Sequence, residues 1–232
     1  MPPRKINATK KDIVFVATKM FLEKGFTATS VKSISDELGI STGNLTFHYP
    51  TKEHLLALLV EMLCDFQWQI LYNSISEESD PLEAWCTELP AITAIAEENP
   101  LALDFYKSAY MYPSTLEIIR RNDCEKAKRV FGDHLSHWTD ENFAMAQVLS
   151  SGIEYGCLMN TSSSPVLAQR MESALHALLA IYSVEPERQN RVIQSALSVD
   201  YLSLGRQVLH DFTQYVSNLT EEQVEGYLNK RT

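Results

Sequence analysis

The stretch covering residues 27–56 constrains the fold of this chain more than any other. Two short segments with apolar residues at three- and four-residue spacing lie on either side of Gly39-Ile40-Ser41, and a longer apolar segment follows Pro50. Proline separates these segments because it disfavours helical geometry in the residue before it. The arrangement is typical of a helix-turn-helix followed by a connecting helix.

Helical periodicity extends through the rest of the chain. Apolar residues recur at three- and four-residue spacing nearly everywhere, no long alternating strand pattern is present, and glycine and proline are sparse, with 8 and 9 copies in 232 residues. The chain is long enough to bury a substantial core. We therefore predict an all-α fold in which an N-terminal three-helix domain over residues 1–50 is joined by a long helix to a larger helical domain within residues 51–232.

Local breakers place the individual helices. Gly25 is suited to end a first helix near residues 9–24, because glycine tolerates a left-handed backbone. The polar run from Ser76 to Pro81 predicts a loop after the connecting helix. Beyond that loop, helices are predicted near residues 81–98, 101–112, 114–136, 140–160, 165–183, 187–204, 205–217 and 220–229.

Charge is distributed unevenly along the chain. The net charge of −10 by itself argues against a nucleic-acid-binding protein. Residues 1–55, however, carry eight lysines and arginines against five acidic residues, whereas residues 56–232 carry a net charge of −13. A basic N-terminal part can attract phosphates while the acidic remainder discourages non-specific binding.

The cysteines and the terminal residues bear on the cellular compartment. Cys64, Cys86, Cys124 and Cys157 form no C-x-x-C pair and lie in mostly apolar helical contexts. We interpret them as small buried hydrophobic residues in a reducing compartment. The N-terminal residues lack the apolar core of a signal peptide, and the apolar runs are too short to span a membrane. We therefore expect a cytoplasmic protein without a membrane partner.

Several spaced features of the N-terminal stretch occur together in one known family. They are the Gly-Phe after helix one, the Thr-Ser-Val entering helix two, the Ile-Ser-x-Gly-x-Leu of helix three, the His-Tyr near its end and the Lys-Glu-x-Leu-Leu opening helix four. This combination resembles the DNA-binding domain of the tetracycline-repressor (TetR/AcrR) family, and it extends over GFTATSVKSISDELGISTGNLTFHYPTKEHLLALL. The resemblance implies a ligand-responsive homodimeric transcriptional regulator, and more narrowly a repressor that a small molecule releases from its operator.

The third helix supplies the predicted DNA-reading surface. Leu45 faces the core, so the outer side carries Thr42, Gly43, Asn44, Thr46 and His48. Asparagine is suited to bidentate contact with adenine, threonine offers a methyl group to thymine, and glycine lets the backbone approach the duplex. The helix has no arginine or lysine, so bidentate reading of guanine from this helix is not expected.

One position departs from the family's pattern. Family members usually place a phosphate-contacting tyrosine after the leucine of helix three, whereas this chain has Thr46, whose hydroxyl has a shorter reach, followed by Phe47. We expect phosphate contacts from Lys52 and from the hydroxyl and amides of Ser30 at a helix N-terminus. The predicted DNA-contacting residues are Ser30, Lys32, Thr42, Gly43, Asn44, Thr46, Phe47, His48 and Lys52.

A single reading head makes few contacts, which predicts a symmetric homodimer on near-palindromic double-stranded DNA. The family dimerises through two helices that form a four-helix bundle with their mates. The best candidates here are the helices near 140–160 and 165–183, in which small residues alternate with leucine, methionine and valine. The helices within 187–217 are the alternative, and either pair can instead be monomer core.

Aromatic residues are frequent between residues 82 and 155, where the resemblance implies a ligand cavity. Aromatic walls with a few polar groups suit an apolar or planar small molecule, and ordinary core packing is the competing interpretation. Asp104 and Glu154 are candidates for selecting a cation, although surface exposure is the simpler expectation for both. The predicted ligand-binding residues are Met62, Phe66, Trp85, Phe105, Tyr106, Tyr110, Phe131 and Tyr155.

Two other classes of protein are open at this point. A helical enzyme is disfavoured because the chain has no G-x-S-x-G, no paired metal motif and no glycine-rich phosphate loop. A helical protein-interaction module without DNA binding is the second alternative. The segment Asp133-His134-x2-His137 has metal-like spacing, but no third ligand lies near it in sequence, so neither a metal nor another cofactor is expected.

Overall fold

The computed structural model describes residues 8–74, 80–160 and 165–230, and over these ranges the chain is helical without a β-strand. The all-α prediction is confirmed, and the predicted loop at 76–81 lies mostly outside the described residues. In chain order the helices are α1 (Lys10–Lys24), α2 (Val31–Leu38), α3 (Thr42–His48), α4 (Lys52–Ser74), α5 (Pro81–Glu98), α6 (Pro100–Met111), α7 (Pro113–Phe131), α8 (Asp140–Met159), α9 (Leu167–Ile181), α10 (Pro186–Ser198), α11 (Tyr201–Asn218) and α12 (Glu221–Asn229).

Side-chain caps set the limits of the first two helices. Thr9 and Asp12 form a capping box at the start of α1, and Ser30 and Ser33 form another at the start of α2. Each box satisfies backbone N–H groups that have no partner within their own helix. At the end of α2, Gly39 adopts the left-handed conformation, with a φ of 66°, and turns the chain toward α3.

α3 is a short helix that is fixed at its start and at its middle. The Ser41 hydroxyl accepts a hydrogen bond from the backbone N–H of Asn44 at 3.1 Å and caps the first turn. Leu45 is fully buried and anchors the helix in the core. The helix ends at His48, and the buried Tyr49 follows it. The predicted helix-turn-helix is therefore present, with α2 and α3 on either side of the predicted turn.

Two apolar cores organise the packing. The first packs α1–α4 mainly with α6, α11 and α12, and it includes Leu55 and Leu56, which are fully buried near the start of α4. The second packs α5 with α7–α10. The three N-terminal helices thus share a core with the helices that follow them. The division at residue 50 stays a prediction about which part of the chain contacts DNA.

Two helices end earlier than predicted. α7 stops at Phe131 rather than near residue 136, and the backbone continues in turns, in which the Leu135 N–H donates to the Phe131 carbonyl at 2.8 Å. α10 stops at Ser198 rather than near residue 204. The reason is a cap, because the Asp200 carboxylate accepts a hydrogen bond from the Ser203 N–H at 3.0 Å and starts α11 there.

Three minor sequence features can be located in the structure. All four cysteines have free thiols, and Cys86 is buried. His134 Nε2 lies 3.0 Å from the Ser183 carbonyl oxygen, and over the described ranges no three possible metal ligands gather at one point. None of the helices in the part of the chain that the structure describes is long and apolar enough to cross a membrane.

Candidate nucleic-acid interface and ligand cavity

The outer face of α3 presents an apolar and small-residue surface to solvent. Thr42 and Gly43 are exposed in its first turn, and the Phe47 ring is 83% exposed near its end. An aromatic ring that is left this accessible beside two buried neighbours, Leu45 and Tyr49, contributes nothing to the buried core. The face is therefore available for contact with another molecule.

Asn44 lies half-buried beside this face. Its side-chain Oδ1 is buried and accepts no hydrogen bond from the residues that the structure describes. A buried acceptor without a partner carries a desolvation cost. The terminal torsion of asparagine is broad, so a rotation of the amide can turn both polar atoms outward. An adenine edge in the major groove would supply the missing partner.

Thr46 and His48 occupy the flank of α3 and are both half-buried. The Thr46 hydroxyl donates to the Thr42 carbonyl oxygen at 3.0 Å, so its proton is used within the helix. Its methyl group and the oxygen lone pairs are left for a partner. The His48 ring packs edge-on to Phe47, with ring centroids 5.1 Å apart.

The start of α2 forms the second part of the predicted interface. Ser30 and Lys32 are both exposed, and the Ser30 hydroxyl accepts from the Ser33 N–H at 3.0 Å. The ammonium group of Lys32 is free to reach a phosphate beside this helix N-terminus, where the helix dipole also favours an anion.

Lys52 has a structural role that the sequence did not reveal. Its ammonium group donates to the carbonyl oxygens of Phe26 at 3.0 Å and of Thr29 at 3.1 Å, and it lies 4.2 Å from the centroid of the Phe26 ring. These contacts tie the first turn of α4 to the loop between α1 and α2. Because the partners lie more than twenty residues away in sequence, no local pattern could indicate them. A lysine has three donors, so one N–H is left for a phosphate.

Two adjoining cavities lie in the helical body. Cavity A is bordered by Trp85, Leu89, Tyr110, Gln147, Glu154 and Leu178, and cavity B by Val60, Leu63, Phe105, Tyr106, Ala109 and Ile119. Glu88, Ile92, Tyr110 and Asp123 border both. The cavities contain about 530 and 420 Å³ of empty space, part of it open to solvent.

Four of the eight predicted ligand-binding residues border these cavities. Trp85 lies in cavity A, Phe105 and Tyr106 lie in cavity B, and Tyr110 lies between them. The four residues that border the cavities lie on α5 and α6, whereas the prediction spread the ligand-binding residues over α4 to α8.

The other four residues lie elsewhere. Met62 is fully buried in the first core, and the half-buried Phe66 packs against α11. Phe131 stacks on the ring of Tyr182, with centroids 4.1 Å apart. Tyr155 points to the surface of α8. Helical periodicity identified these side chains as large and apolar but could not show which neighbour each one meets.

A buried charge cluster lies between the cavities. Lys126, which is 6% exposed, donates to Glu88 at 2.8 and 3.0 Å and to Asp123 at 2.7 Å. Glu88 also accepts from the amide of Gln67 at 3.0 Å. Burial alone would lower the pKa of Lys126, but the carboxylates of Asp123 and Glu88 outweigh it and raise that pKa well above its ordinary value. The lysine is therefore charged in the folded protein.

Sequence reasoning missed this cluster, although a signal was present. Glu88 follows Trp85 by three residues and precedes Ile92 by four, which places a carboxylate on an apolar helical stripe. Gln147 lies four residues after Phe143 in the same way on α8. Polar residues on the inward side of a helix are expensive unless they are paired or functional.

Glu154 lies at cavity A and not on the open surface that the sequence favoured. The Tyr110 hydroxyl donates to Glu154 Oε2 at 2.9 Å, and the carboxyl group is half-buried. Burial raises the pKa of Glu154 to about 8, the negative charge of Asp123 adds to this, and the hydrogen bond from Tyr110 opposes it. Glu154 is therefore mostly protonated at neutral pH.

This raised pKa predicts a pH dependence of stability. A carboxyl group whose folded pKa of about 8 exceeds its unfolded value near 4.5 favours folding most below pH 4.5, and that contribution is lost as the pH rises to about 8. We expect Glu154→Gln, whose side chain does not ionise, to remove this loss of stability with rising pH. The free energy of unfolding, measured in urea at several pH values between 4.5 and 8, should fall with pH more steeply in the wild type than in the variant. Parallel profiles would contradict the assignment.

α4 and α6 connect the cavities to the loop between α1 and α2. α4 contributes Val60 and Leu63 to cavity B, and its first turn holds the loop through Lys52. α6 contributes Tyr106 to the same cavity, and its Asp104 accepts from the backbone N–H of Thr27 at 2.8 Å and from the Thr27 hydroxyl. Asp104 is thus an attachment point for the N-terminal domain. One loop is therefore held from two directions by helices that border the cavity.

The outer face of α8 is apolar from Ala144 to Met159. Positions three and four residues apart are exposed and carry either small or large apolar side chains, and Leu149 at the centre is 54% exposed. The exposed positions of α10 and α11, by contrast, are polar almost throughout. The apolar stripe of α8 consists of Ala144, Met145, Val148, Leu149, Gly152, Tyr155, Gly156 and Met159.

Three short helices that end in an exposed third helix, followed by a long fourth helix, define a helix-turn-helix protein. Residues 13–59 match the family described as "Bacterial regulatory proteins, tetR family". Over this stretch the chain is therefore similar to the TetR family.

Some known proteins resemble part of the chain in sequence, and a solved structure resembles most of the chain in fold. The HTH-type transcriptional repressor KstR2 of Mycobacterium tuberculosis is 30% identical over 78 residues, which cover 34% of this chain and 39% of KstR2. The HTH-type transcriptional regulator RutR of Escherichia coli is 31% identical over 81 residues, covering 35% and 38%. The chain therefore spans about two fifths of the length of these curated relatives. The crystal structure of RolR without ligand aligns with a TM-score of 0.58 at 15% identity and covers 81% of this chain and 96% of RolR, which establishes the fold.

Proposed function

We propose that this protein is a cytoplasmic, homodimeric DNA-binding transcriptional regulator whose operator affinity is controlled by a small molecule, and that it acts as a repressor. The observation that carries the proposal is the accessible face of α3, on which Phe47 is 83% exposed next to Thr42 and Gly43. A helix of this kind enters the major groove, where side-chain groups meet the base edges.

The chemistry of α3 favours a site that contains A·T pairs. Asn44 is suited to adenine, and the Thr46 methyl group and the Phe47 ring are suited to the methyl group of thymine. Ser30 and Lys32 at the start of α2 would contact phosphates and fix the orientation of the head. Base reading and phosphate binding are therefore assigned to different helices.

The apolar stripe of α8 supports a second copy of the chain as the partner. Glycines at positions 152 and 156 allow two helices to approach closely, and the flanking large apolar side chains exclude water from such a contact. α9 lies beside it and exposes the small residues Ala177 and Ala180. The alternative pair, α10 and α11, is polar on its exposed side and is disfavoured for this reason.

Regulation would act through the loop between α1 and α2. A ligand in the cavities would move α4 or α6, and both helices hold this loop, through Lys52 and Asp104. The reading heads of the dimer would then lose the separation that two successive major grooves require. The ligand must bind the released state more tightly than the DNA-bound state for this shift to occur.

The proposal is tested by fluorescence anisotropy with labelled duplex from upstream of the protein's own gene. We expect binding that weakens steeply as salt concentration rises, because cationic groups displace counterions from phosphates. A shuffled duplex of the same composition serves as the control. Equal affinity for both duplexes, or no binding at low salt, would contradict a sequence-specific regulator.

Phe47→Ala isolates the contribution of the exposed ring. Because the ring is 83% exposed, its removal should leave the free energy of unfolding within about 0.5 kcal/mol of the wild type. Operator affinity should fall by about 1–3 kcal/mol if the ring contacts thymine methyl groups. Met111→Ala, at a side chain that is 66% exposed on α6, is the matched control and should change neither quantity. Unchanged affinity in Phe47→Ala would remove this residue from the interface.

Lys52→Met distinguishes a phosphate ligand from a loop anchor. The variant leaves the carbonyl oxygens of Phe26 and Thr29 without their donor, so we expect a destabilisation of about 1–3 kcal/mol. If the ammonium acts only as an anchor, the slope of log affinity against log salt concentration should match the wild type. Lys32→Met, at an exposed position, should leave stability unchanged and lower that slope by about one. A lower slope for Lys52→Met together with an unchanged slope for Lys32→Met would assign the phosphate contact to Lys52.

A further inference from the structure

We propose that cavity A binds a small organic cation that carries a second hydrogen-bond donor, with the ammonium group at Glu154 and Asp123 and the second donor at Gln147. Its role as the effector rests on the proposed function, whereas the binding itself does not.

Gln147 supplies the first observation. It is 2% exposed, it borders cavity A, and its Nε2 donates to the Tyr182 hydroxyl at 2.7 Å. Its Oε1 is buried and has no hydrogen-bond partner in the described part of the chain. A buried acceptor without a donor is rare in a folded protein because its desolvation is not compensated. The missing partner is therefore a donor, and cavity A is the space from which it can come.

The balance of charge supplies the second observation. Three carboxyl groups border cavity A, those of Glu88, Asp123 and Glu154, whereas Lys126 is the one ammonium group among its lining residues. Lys126 is shared between Glu88 and Asp123, which leaves an excess of negative charge even while Glu154 is protonated. An anionic ligand would increase this imbalance, and a cation would offset it.

The walls define the body of the ligand. Trp85 and Tyr110 offer aromatic faces, which attract cations as well as planar groups. Gln147 and Glu154 are seven residues apart on α8, a rise of about 10 Å along the helix. The long side chains of Gln147 and Glu154 bring their polar ends closer together than this rise. A ligand whose hydrogen-bond donor and ammonium group are separated by one aromatic ring and a two-carbon linker matches the distance between those polar ends. An arylalkylamine with a phenolic hydroxyl has this shape.

Binding is coupled to a proton. Glu154 faces Tyr110 of α6, Asp123 and Lys126 of α7 and Glu88 of α5, while α9 contributes only Leu175 and Leu178 to the cavity. Arg120 of α7 contacts α8 about one turn before Glu154, where its Nε donates to the Ser151 hydroxyl at 3.1 Å. When the ammonium group enters, the Glu154 carboxyl group ionises and its proton passes to the solvent. Affinity should therefore rise as the pH increases toward the pKa of about 8.

Calorimetry on the full chain without DNA tests the proposal with four related probes. Tyramine carries both the ammonium group and the second donor, phenethylamine lacks the donor, tyrosol lacks the charge, and 4-hydroxyphenylacetate carries a negative charge. We expect tyramine to bind at least about tenfold more tightly than tyrosol and several-fold more tightly than phenethylamine, with no binding of the anion. At neutral pH, tyramine should release about one proton, measured from the difference in heat between phosphate and Tris buffers.

Three variants refine the test. Glu154→Gln should weaken tyramine at least about tenfold and abolish proton release, whereas Glu141→Gln, at an exposed position of the same helix, should change neither. Gln147→Met should remove the preference for tyramine over phenethylamine, a ratio that does not depend on how much protein is folded. Equal binding of tyrosol and tyramine, tighter binding of the anion, or no binding of either amine at millimolar concentration would overturn the proposal. Because these measurements contain no DNA, a failure of the proposed cation site can be distinguished from a failure of the proposed operator binding.

Discussion

Leu149→Arg is expected to convert the proposed dimer into a monomer. Leu149 lies at the centre of the apolar stripe of α8 and is 54% exposed in the single chain, so it would be buried only against a second copy. A charged side chain there would be desolvated without a partner at a symmetric contact, where two copies of it would also repel each other. Operator affinity should fall by about 10²–10⁴, because two linked heads gain this factor from binding together.

Sedimentation equilibrium and anisotropy with operator DNA measure the two effects on one sample. Gln194→Arg, on the exposed polar side of α10, is the control and should leave both the dimer and the affinity unchanged. A Leu149→Arg protein that stays dimeric would exclude α8 as the interface. If only Gln194→Arg produced monomers, the dimer interface would be assigned to α10 and α11 instead of α8.

Lys126→Met is expected to destabilise the fold by about 3–5 kcal/mol, because it leaves two carboxylates buried without their counter-charge. Lys126 is 6% exposed and bonds both Glu88 and Asp123. Lys128→Met, two residues along α7, removes an exposed pair with Asp140 and should cost at most about 1 kcal/mol.

Urea unfolding at neutral pH measures both free energies. The contrast between the two lysines is informative because the helix and the type of substitution are the same, whereas Lys126 is buried with two carboxylates and Lys128 is exposed with one. Equal losses in the two variants would mean that water reaches the cluster and screens it. Cavity A would then lack the low polarity that the proposed cation site requires.

The local elements of this fold could be predicted from the sequence because their causes are local. Ser30, Gly39 and Ser41 set the ends of α2 and α3 through contacts within four residues, and helical periodicity placed Leu45 in the core. The all-helical fold followed from the same periodicity. The two helix ends that were misplaced, those of α7 and α10, depend on a run of turns and on the Asp200 cap, which compete with an otherwise continuous helical pattern.

The interactions that connect the candidate sites could not be predicted, since they join residues far apart in the chain. Lys52 reaches the carbonyl oxygens of Phe26 and Thr29, and Asp104 reaches Thr27 across 77 residues. The sequence showed these side chains as charged and therefore favoured phosphate or solvent as their partners. Their positions on α4 and α6 instead suggest how events in the cavities would reach the reading head.

The character of the cavity differs from the sequence-based expectation for a related reason. Aromatic content between residues 82 and 155 predicted an apolar or planar ligand, and Trp85 and Tyr110 do border cavity A. Polar side chains from three helices nevertheless converge on the same space, which periodicity along any one helix cannot show. The aromatic walls and the acidic groups together favour a ligand with both an apolar body and a positive charge.

Selection of DNA sites from a random duplex library tests directly whether the protein reads DNA as a dimer. We expect enrichment of an inverted repeat whose half-sites are centred about one helical turn, or a multiple of it, apart, with A·T pairs in each half and two protomers bound per site. Stoichiometry is measured by sedimentation of the protein with the selected duplex. Enrichment of a single half-site by a monomer, or no enrichment at low salt, would show that this protein is not a dimeric reader of DNA.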